Sequence, residues 1–289
     1  MVVEVPRGVR EAGRPMVRFY AQGAPRWWPF QLVSLGNKRL PPKRYGFYSI
    51  LVDNGMFRYY KEGTRPSLDS WFRRLAVFAG EVRRLRPSEL IIILPDWLND
   101  AEFTVRAARS VQARRLCEQH VCCAVAHAGR GLNAYARTAE ELVSIDYIQC
   151  IAAPLKLNCS RYSAKAGRRL IRLECQAAVA GAICGVAKRH DLKCHGLGIA
   201  LKPEHVRRLV GLGLDSFDST SWTRPNKTVI ARYLGVERLE RGEISAKTIG
   251  EKELFFLLKL AQLVEAGVSL ESPEVSLLVG EKLRFTCFL

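Results

Sequence analysis

The sequence predicts an α/β protein built as an eight-stranded (β/α)8 barrel of the TIM type, irregular at its N-terminal side. Three observations lead there. Short apolar runs bounded by glycine, proline or basic residues recur as far as residue 219, about eight in number, as buried strands do. From residue 67 onward, helical periodicity alternates with those runs, and such alternation calls for a parallel sheet. Asp53, Asp96 and Asp218 each stand at the C-terminal end of a predicted strand, and in a closed barrel those ends converge on one rim. A doubly wound open sheet is the runner-up, because the first three strands lack full helices between them.

Taken in order, residues 1–15 are polar, charged and Gly/Pro-bearing, and read as a flexible arm. Residues 16–289 read as a single domain. VRFYA (17–21), FQLVSL (30–35) and FYSILVD (47–53) are the first strands. Between the first two lies PRWWPF. Its Trp27 and Trp28 read as buried packing, with a stacking platform for bases as the other reading. From 67, Leu68, Trp71, Phe72, Leu75, Phe78, Val82 and Leu85 fall on one helical face, with Ser67 placed to cap the start and Pro87 beyond the end. ELIIILPD (89–96) is a continuous apolar run, as expected of a strand covered on both faces.

A second helix is predicted over 100–118, a strand over 121–129, a short helix at TAEELVS and a strand over 146–154. A long helix follows over 164–189, then the strand KCHGLGIA (193–200), the helix PEHVRRLVGLG and the strand LDSFDS. Past residue 225 a basic loop precedes an amphipathic helix over 249–267, read as closing the domain.

Composition narrows the function classes. The chain has 289 residues and is 48% hydrophobic, enough for a sizeable core. Lys plus Arg is 45 against 28 Asp plus Glu, a net charge of +17. That excess favours polyanions, nucleic acid first among them, with a merely basic surface as the alternative. The nine cysteines are scattered with no Cys-x-x-Cys pair, which argues against a disulfide framework and a ready zinc site. They are expected to be small buried residues in a reducing, cytoplasmic interior. The N-terminus lacks an apolar h-region and no apolar run reaches 18 residues, so neither secretion nor a membrane is expected.

Carboxylates are scarce, so their placement carries information. Asp53 follows FYSILV and precedes Asn-Gly, Asp96 follows IIILP, and Asp218 ends GLDSF. Three carboxylates on one rim repel one another unless they share a proton or a cation, and such groups suit covalent and general acid–base work. Each taken singly also fits a helix cap or a turn. Asp215 reads as structural, and Asp69 and Asp100 as helix-start residues. His195 reads as a satisfied buried histidine. His127 follows a strand and is a candidate for the pocket lining. Neither has a second ligand at metal spacing, so no metal is expected.

GLDSFDSTSWTR (213–224) resembles the G-V-D-x-F-D-x-x-x-x-T-R segment of tRNA-guanine transglycosylases. VDNGMF (52–57) is similar to that family's D-S-G-G-F motif, with Asn54 and Met56 replacing Ser and Gly. The strand ending in Asp96 falls where the family reads its base, and HGLGIA (195–200) is similar to its G-G-L-A-V-G loop. Order and spacing agree over roughly 45–225. Two departures stand out. The family's C-x-C-x-x-C…H zinc site is missing after Asp218, where only Cys287 remains among the cysteines, and no appended RNA-binding domain is expected. P-D-x-x-x-D at 95–100 and DSFDSTSW at 215–222 look closer to the DNA-modifying relatives, which place 7-deazaguanine derivatives into DNA in phages and mobile islands.

The resemblance implies base exchange: guanine in nucleic acid, DNA slightly favoured over tRNA, is replaced by a 7-deazaguanine. Asp218 would be the nucleophile and Asp53 the general acid–base. Asp96 would accept from the N1–H and N2–H2 edge of guanine, and backbone around Gly198 would donate to O6. Met56 and Phe57 would wall the base or serve ordinary packing, and His127 sits where the family has a base-contacting Gln-Gly. Arg224 would bind a phosphate beside the extruded nucleotide or offset the acidic rim. Lys202, Arg207, Arg208, Lys227 and Arg232 are further phosphate candidates, each taken singly more often a solvated surface charge. A homodimer or a partner subunit fits the pattern, as does a host cytoplasm for a virus-encoded chain. The rival readings are a catalytically inactive nucleic-acid-binding relative or partner subunit, another barrel enzyme such as an aldolase or glycosidase, and a glycosylase that removes guanine without replacing it.

Overall fold

A computed structural model describes residues 16–25, 28–36, 40, 49–128, 131–155, 169–219, 256, 259–260, 262–264 and 266–270. The arm at 1–15, Trp27, Cys159, Arg224, the basic loop with Lys227 and Arg232, and Cys287 lie outside the described residues.

Eight parallel strands close on themselves in chain order, β1 (Arg18–Gln22), β2 (Phe30–Ser34), β3 (Ser49–Asp53), β4 (Glu89–Ile93), β5 (Val121–Val125), β6 (Cys150–Pro154), β7 (Lys193–Leu197) and β8 (Ser216–Asp218). The expected barrel is therefore the fold, and the open sheet is excluded because β1 pairs with β8 through Phe19 and Phe217. Most strand positions are buried, since the barrel interior takes one side of each strand and the helical layer the other.

The helices are α1 (Met56–Lys61), α2 (Leu68–Arg83), α3 (Ala101–Ala108), α4 (Val111–Cys117), α5 (Leu132–Val143), α6 (Arg169–Arg189) and α7 (Pro203–Gly211). In α2 the Ser67 hydroxyl accepts from the Ser70 N–H, and Trp71, Phe72, Leu75, Phe78 and Val82 are buried, as their spacing predicts. Three boundaries differ from expectation. The helix predicted over 100–118 is two, because Ser110 accepts from the Ala113 N–H and caps a new start. Helix α5 begins at Leu132, ahead of TAEELVS. Helix α1, which has no long apolar period, follows Gly55 at φ 79.

The cysteine expectation is corrected. Cys117–Cys122, Cys123–Cys150 and Cys184–Cys194 are disulfides. Cys123 and Cys150 stand opposite each other on adjacent strands, a proximity that linear spacing does not reveal.

The N-terminal end of the barrel is plugged by polar groups. Glu89 receives Arg18, accepts from Ser49 at 3.0 Å and faces Lys193 at 3.8 Å. Tyr20 bonds Ser49 at 2.7 Å, and burial pushes its hydroxyl up to about 12, so it stays protonated. Outside β1, Phe256 stacks on Phe19 with centroids 5.8 Å apart and meets Trp28 edge-on at 5.1 Å. Trp28 is buried and donates to the Phe19 carbonyl.

Candidate active site

The C-terminal mouth of the barrel is assembled from the ends of β2, β3, β4, β5, β7 and β8. Ser34 and Asp53 stand in register on β2 and β3, and Ser34 Oγ donates to Asp53 Oδ2 at 2.8 Å. Just beyond, Gly55 lets the chain after Asp53 lie against Gly36. Its φ is positive, and a Cβ there would meet the Gly36 nitrogen at 3.0 Å.

Asn54 ties the next strand to this corner. Its Nδ2 donates to the Leu94 carbonyl and to Asp96 Oδ1, each at 2.6 Å. Its Oδ1 accepts from the Met56 N–H at 2.8 Å, and its carbonyl accepts from Trp71 Nε1 at 2.8 Å. Asp96 is buried, and its Oδ2 lies 2.6 Å from His127 Nε2. A nitrogen facing a carboxylate carries the proton, which makes Nδ1 of the neutral ring an acceptor. Among the described residues His127 Nδ1 is the buried side-chain polar atom without a partner, and such an orphan calls for a ligand or a function.

Asp218 lies across the mouth. Its Oδ1 accepts from the Gly198 N–H at 2.9 Å and lies 3.4 Å from His195 Nε2. His195 Nδ1 lies 2.8 Å from Ser216 Oγ. The next N–H, of Ile199, donates to the Asp218 carbonyl at 3.0 Å.

The carboxylates interact. Burial, first of all, and the charges of Asp218 and Asp96 push the Asp53 carboxyl from 3.8 up to about 6, while bonds from Ser34 and from the Gly55 backbone oppose the rise. Asp53 retains partial exposure, whereas Asp218 is 8% and Asp96 3% exposed.

The structure thus brings together Asp53, Asp96, His127, Gly198 and Asp218. The backbone around Gly198, expected to donate to a base O6, has its Gly198 N–H engaged by Asp218, because the turn after β7 folds over the end of β8. Asp96, expected to accept from the N1–H and N2–H2 edge of guanine, already accepts from Asn54 and His127 and keeps one lone pair on each oxygen. Met56 is buried at the head of α1. Phe57 is 40% exposed, with Lys61 Nζ 4.3 Å from its ring centroid. Asp215 is bound by Lys188 at 2.5 Å and by the Cys194 N–H, and Asp100 caps α3. Asp69 lies in the first turn of α2. Arg208 pairs with Glu174 through both nitrogens.

Sequence reasoning did not assign Ser34 or Asn54 a role in the site, and it read His195 as a satisfied buried histidine, which it is, 1% exposed with Ser216 Oγ at 2.8 Å. Its place beside Asp218 follows from the parallel register. His195 pairs opposite Ser216, two residues before Asp218 on the same strand face. Among the described residues no group of three or more His, Cys, Asp or Glu is arranged to hold a metal, and no helix is long and apolar enough to cross a membrane.

No family model matches the chain, and no curated protein matches it. Among solved structures it is similar to the YdjI aldolase of Escherichia coli K12, with TM-score 0.42, 9% identity, and 89% of this chain and 91% of that one covered. An aldolase/citrate lyase family protein of Burkholderia cenocepacia J2315 gives TM-score 0.41 and 12% identity, covering 80% and 94%. A monomeric dihydrodipicolinate synthase variant gives 0.41 and 14%, covering 86% and 82%.

Proposed function

We propose that the protein is a base-exchange glycosyltransferase of the guanine transglycosylase type, acting on nucleic acid, DNA before tRNA, with a 7-deazaguanine as incoming base. The observation that carries the reading is the meeting of Asp53 and Asp218 at one barrel mouth, close enough for one charge to raise the other's pKa.

Asp218 attacks C1′ of a guanosine nucleotide. Its lone pair forms a C–O bond as the C1′–N9 electrons leave with guanine. Asp53, a carboxyl held near 6, delivers its proton to the departing base. The incoming 7-deazaguanine gives that proton's equivalent back to the Asp53 carboxylate as its ring nitrogen attacks C1′. The C1′–O bond then breaks, its electrons returning to Asp218. Two inversions leave the sugar configuration retained. His127 Nδ1, an unused acceptor beside Asp96, complements the N–H donors of a guanine edge. The target base must leave its stack to enter, at a cost of about a few kcal/mol in a duplex and less in a single strand. The net charge of +17 favours holding the flanking phosphates.

Mass spectrometry of hydrolysed DNA and tRNA from cells with and without the gene tests the proposal. A 7-deazaguanine nucleoside that disappears from one pool on deletion supports it and identifies the substrate. No difference in either pool, together with no exchange of radiolabelled guanine by the purified protein, overturns it in favour of a binding role.

A further inference from the structure

The Asp218 carboxylate is held at one oxygen. Oδ1 accepts from the Gly198 N–H at 2.9 Å and faces His195 Nε2 at 3.4 Å, while among the described residues no hydrogen bond engages Oδ2. The imidazole that approaches Oδ1 is itself fixed. It is 1% exposed, its Nδ1 lies 2.8 Å from Ser216 Oγ, and the Tyr20 ring packs on it edge-on with centroids 5.9 Å apart. A Ser216 hydroxyl donating to Nδ1 leaves the ring proton on Nε2, the nitrogen that points at Asp218.

We propose that His195 is a positioning residue for the nucleophile: its Nε2–H and the Gly198 N–H hold Oδ1 of Asp218, so that Oδ2 presents its lone pair to the barrel mouth. The inference rests on the base-exchange reading. One donor alone leaves the carboxylate free to turn about its Cβ–Cγ bond, and a small misplacement of an attacking atom costs rate rather than affinity. A histidine that merely filled the barrel would be replaceable by any side chain that satisfies Ser216.

Two substitutions separate these roles. In His195→Gln the amide nitrogen stands where imidazole Nε2 stood and still reaches Asp218. In His195→Asn it stands where Nδ1 stood, and reaches Ser216 only. Exchange of radiolabelled guanine into single-stranded DNA and into tRNA is measured for both variants and the wild type. We expect His195→Gln to keep kcat within about tenfold, and His195→Asn to lose about 100-fold, with KM for the strand unchanged in both. Equal losses in the two variants, unchanged kcat in His195→Asn, or an effect on KM alone would overturn the proposal. If thermal unfolding shows that neither variant folds, Ser216→Ala decides. It frees the ring to turn, and is expected to lower kcat by about tenfold at constant KM; an unaltered kcat sinks the idea. A wild-type protein inactive on both nucleic acids removes the base-exchange reading and this inference together. An active wild type with indifferent variants removes this inference alone.

Discussion

Asp53 and Asp218 come from opposite parts of the chain, at the ends of β3 and β8, yet the charge of Asp218 raises the pKa of the Asp53 carboxyl. Burial contributes the larger share of that rise, so Asp53 titrates near 6.

That value sets the pH dependence of the first chemical step. The acid form of Asp53 is required, and it is lost as pH rises through about 6. We expect kcat/KM for the nucleic acid to fall about tenfold per pH unit above that point. Asp53→Asn should lower the rate by about 10²- to 10⁴-fold and abolish this limb. A profile flat from pH 5 to 8 in the wild type would contradict the assignment.

The same shift bears on stability with a definite sign. The folded-state pKa lies above the unfolded value of 3.8, so Asp53's contribution is fully present below that value and is lost as pH rises through about 6. Asp53→Asn should therefore be more stable than the wild type at pH 8, by about 2 kcal/mol after allowance for partial exposure. The gain should shrink to nothing near pH 3.5. Urea unfolding at the two pH values measures it.

Nucleophilic attack predicts a trapped intermediate. The wild type incubated with a guanine-containing strand and 9-deazaguanine should give a covalent protein–nucleic acid band on a denaturing gel. Asp218→Asn should give none while still binding the strand in a filter assay. An adduct that survives this substitution would assign the nucleophile elsewhere.

Asn54 predicts a structural cost at the site. Asn54→Ala strips one bond from Asp96 and leaves the Leu94 carbonyl and the Met56 N–H without their partner. The expected destabilisation is about 2 kcal/mol or more, read as a lower urea midpoint at unchanged slope.

The disulfides predict sensitivity to reductant. Cys123–Cys150 spans 27 residues in sequence, and loop-closure entropy assigns such a bridge about 3–4 kcal/mol. Dithiothreitol should lower the melting temperature, and thiol labelling of the unfolded chain should rise with it.

Much of this architecture was legible along the chain. The face carrying Trp71, Phe72, Leu75 and Phe78, the runs at Ile91–Ile93 and Val121–Val125, and the aspartates at strand ends are all local patterns. A strand or an amphipathic helix imposes its side-chain period on consecutive residues, so the period can be read back. Gly55, Asn54 and Ser34 were not legible in the same way, because each acts on a strand other than its own. The break at Ser110 was missed because a cap competes locally with an apolar period that runs on regardless.

The alternation of strands and helices, a barrel as the first of two readings, and the aspartates at three strand ends follow from the order of residues alone. The pairing of neighbouring strands and the closure of β1 on β8 decided the rest: that the sheet is a barrel, that Asp218 faces His195, that Asp96 is gripped by Asn54 and His127, that Cys123 meets Cys150, and that Asp53 holds its proton up to about 6. Hydrogen bonds and charge–charge energies depend on separation in space, and only the folded barrel turns distance along the chain into ångströms across its mouth.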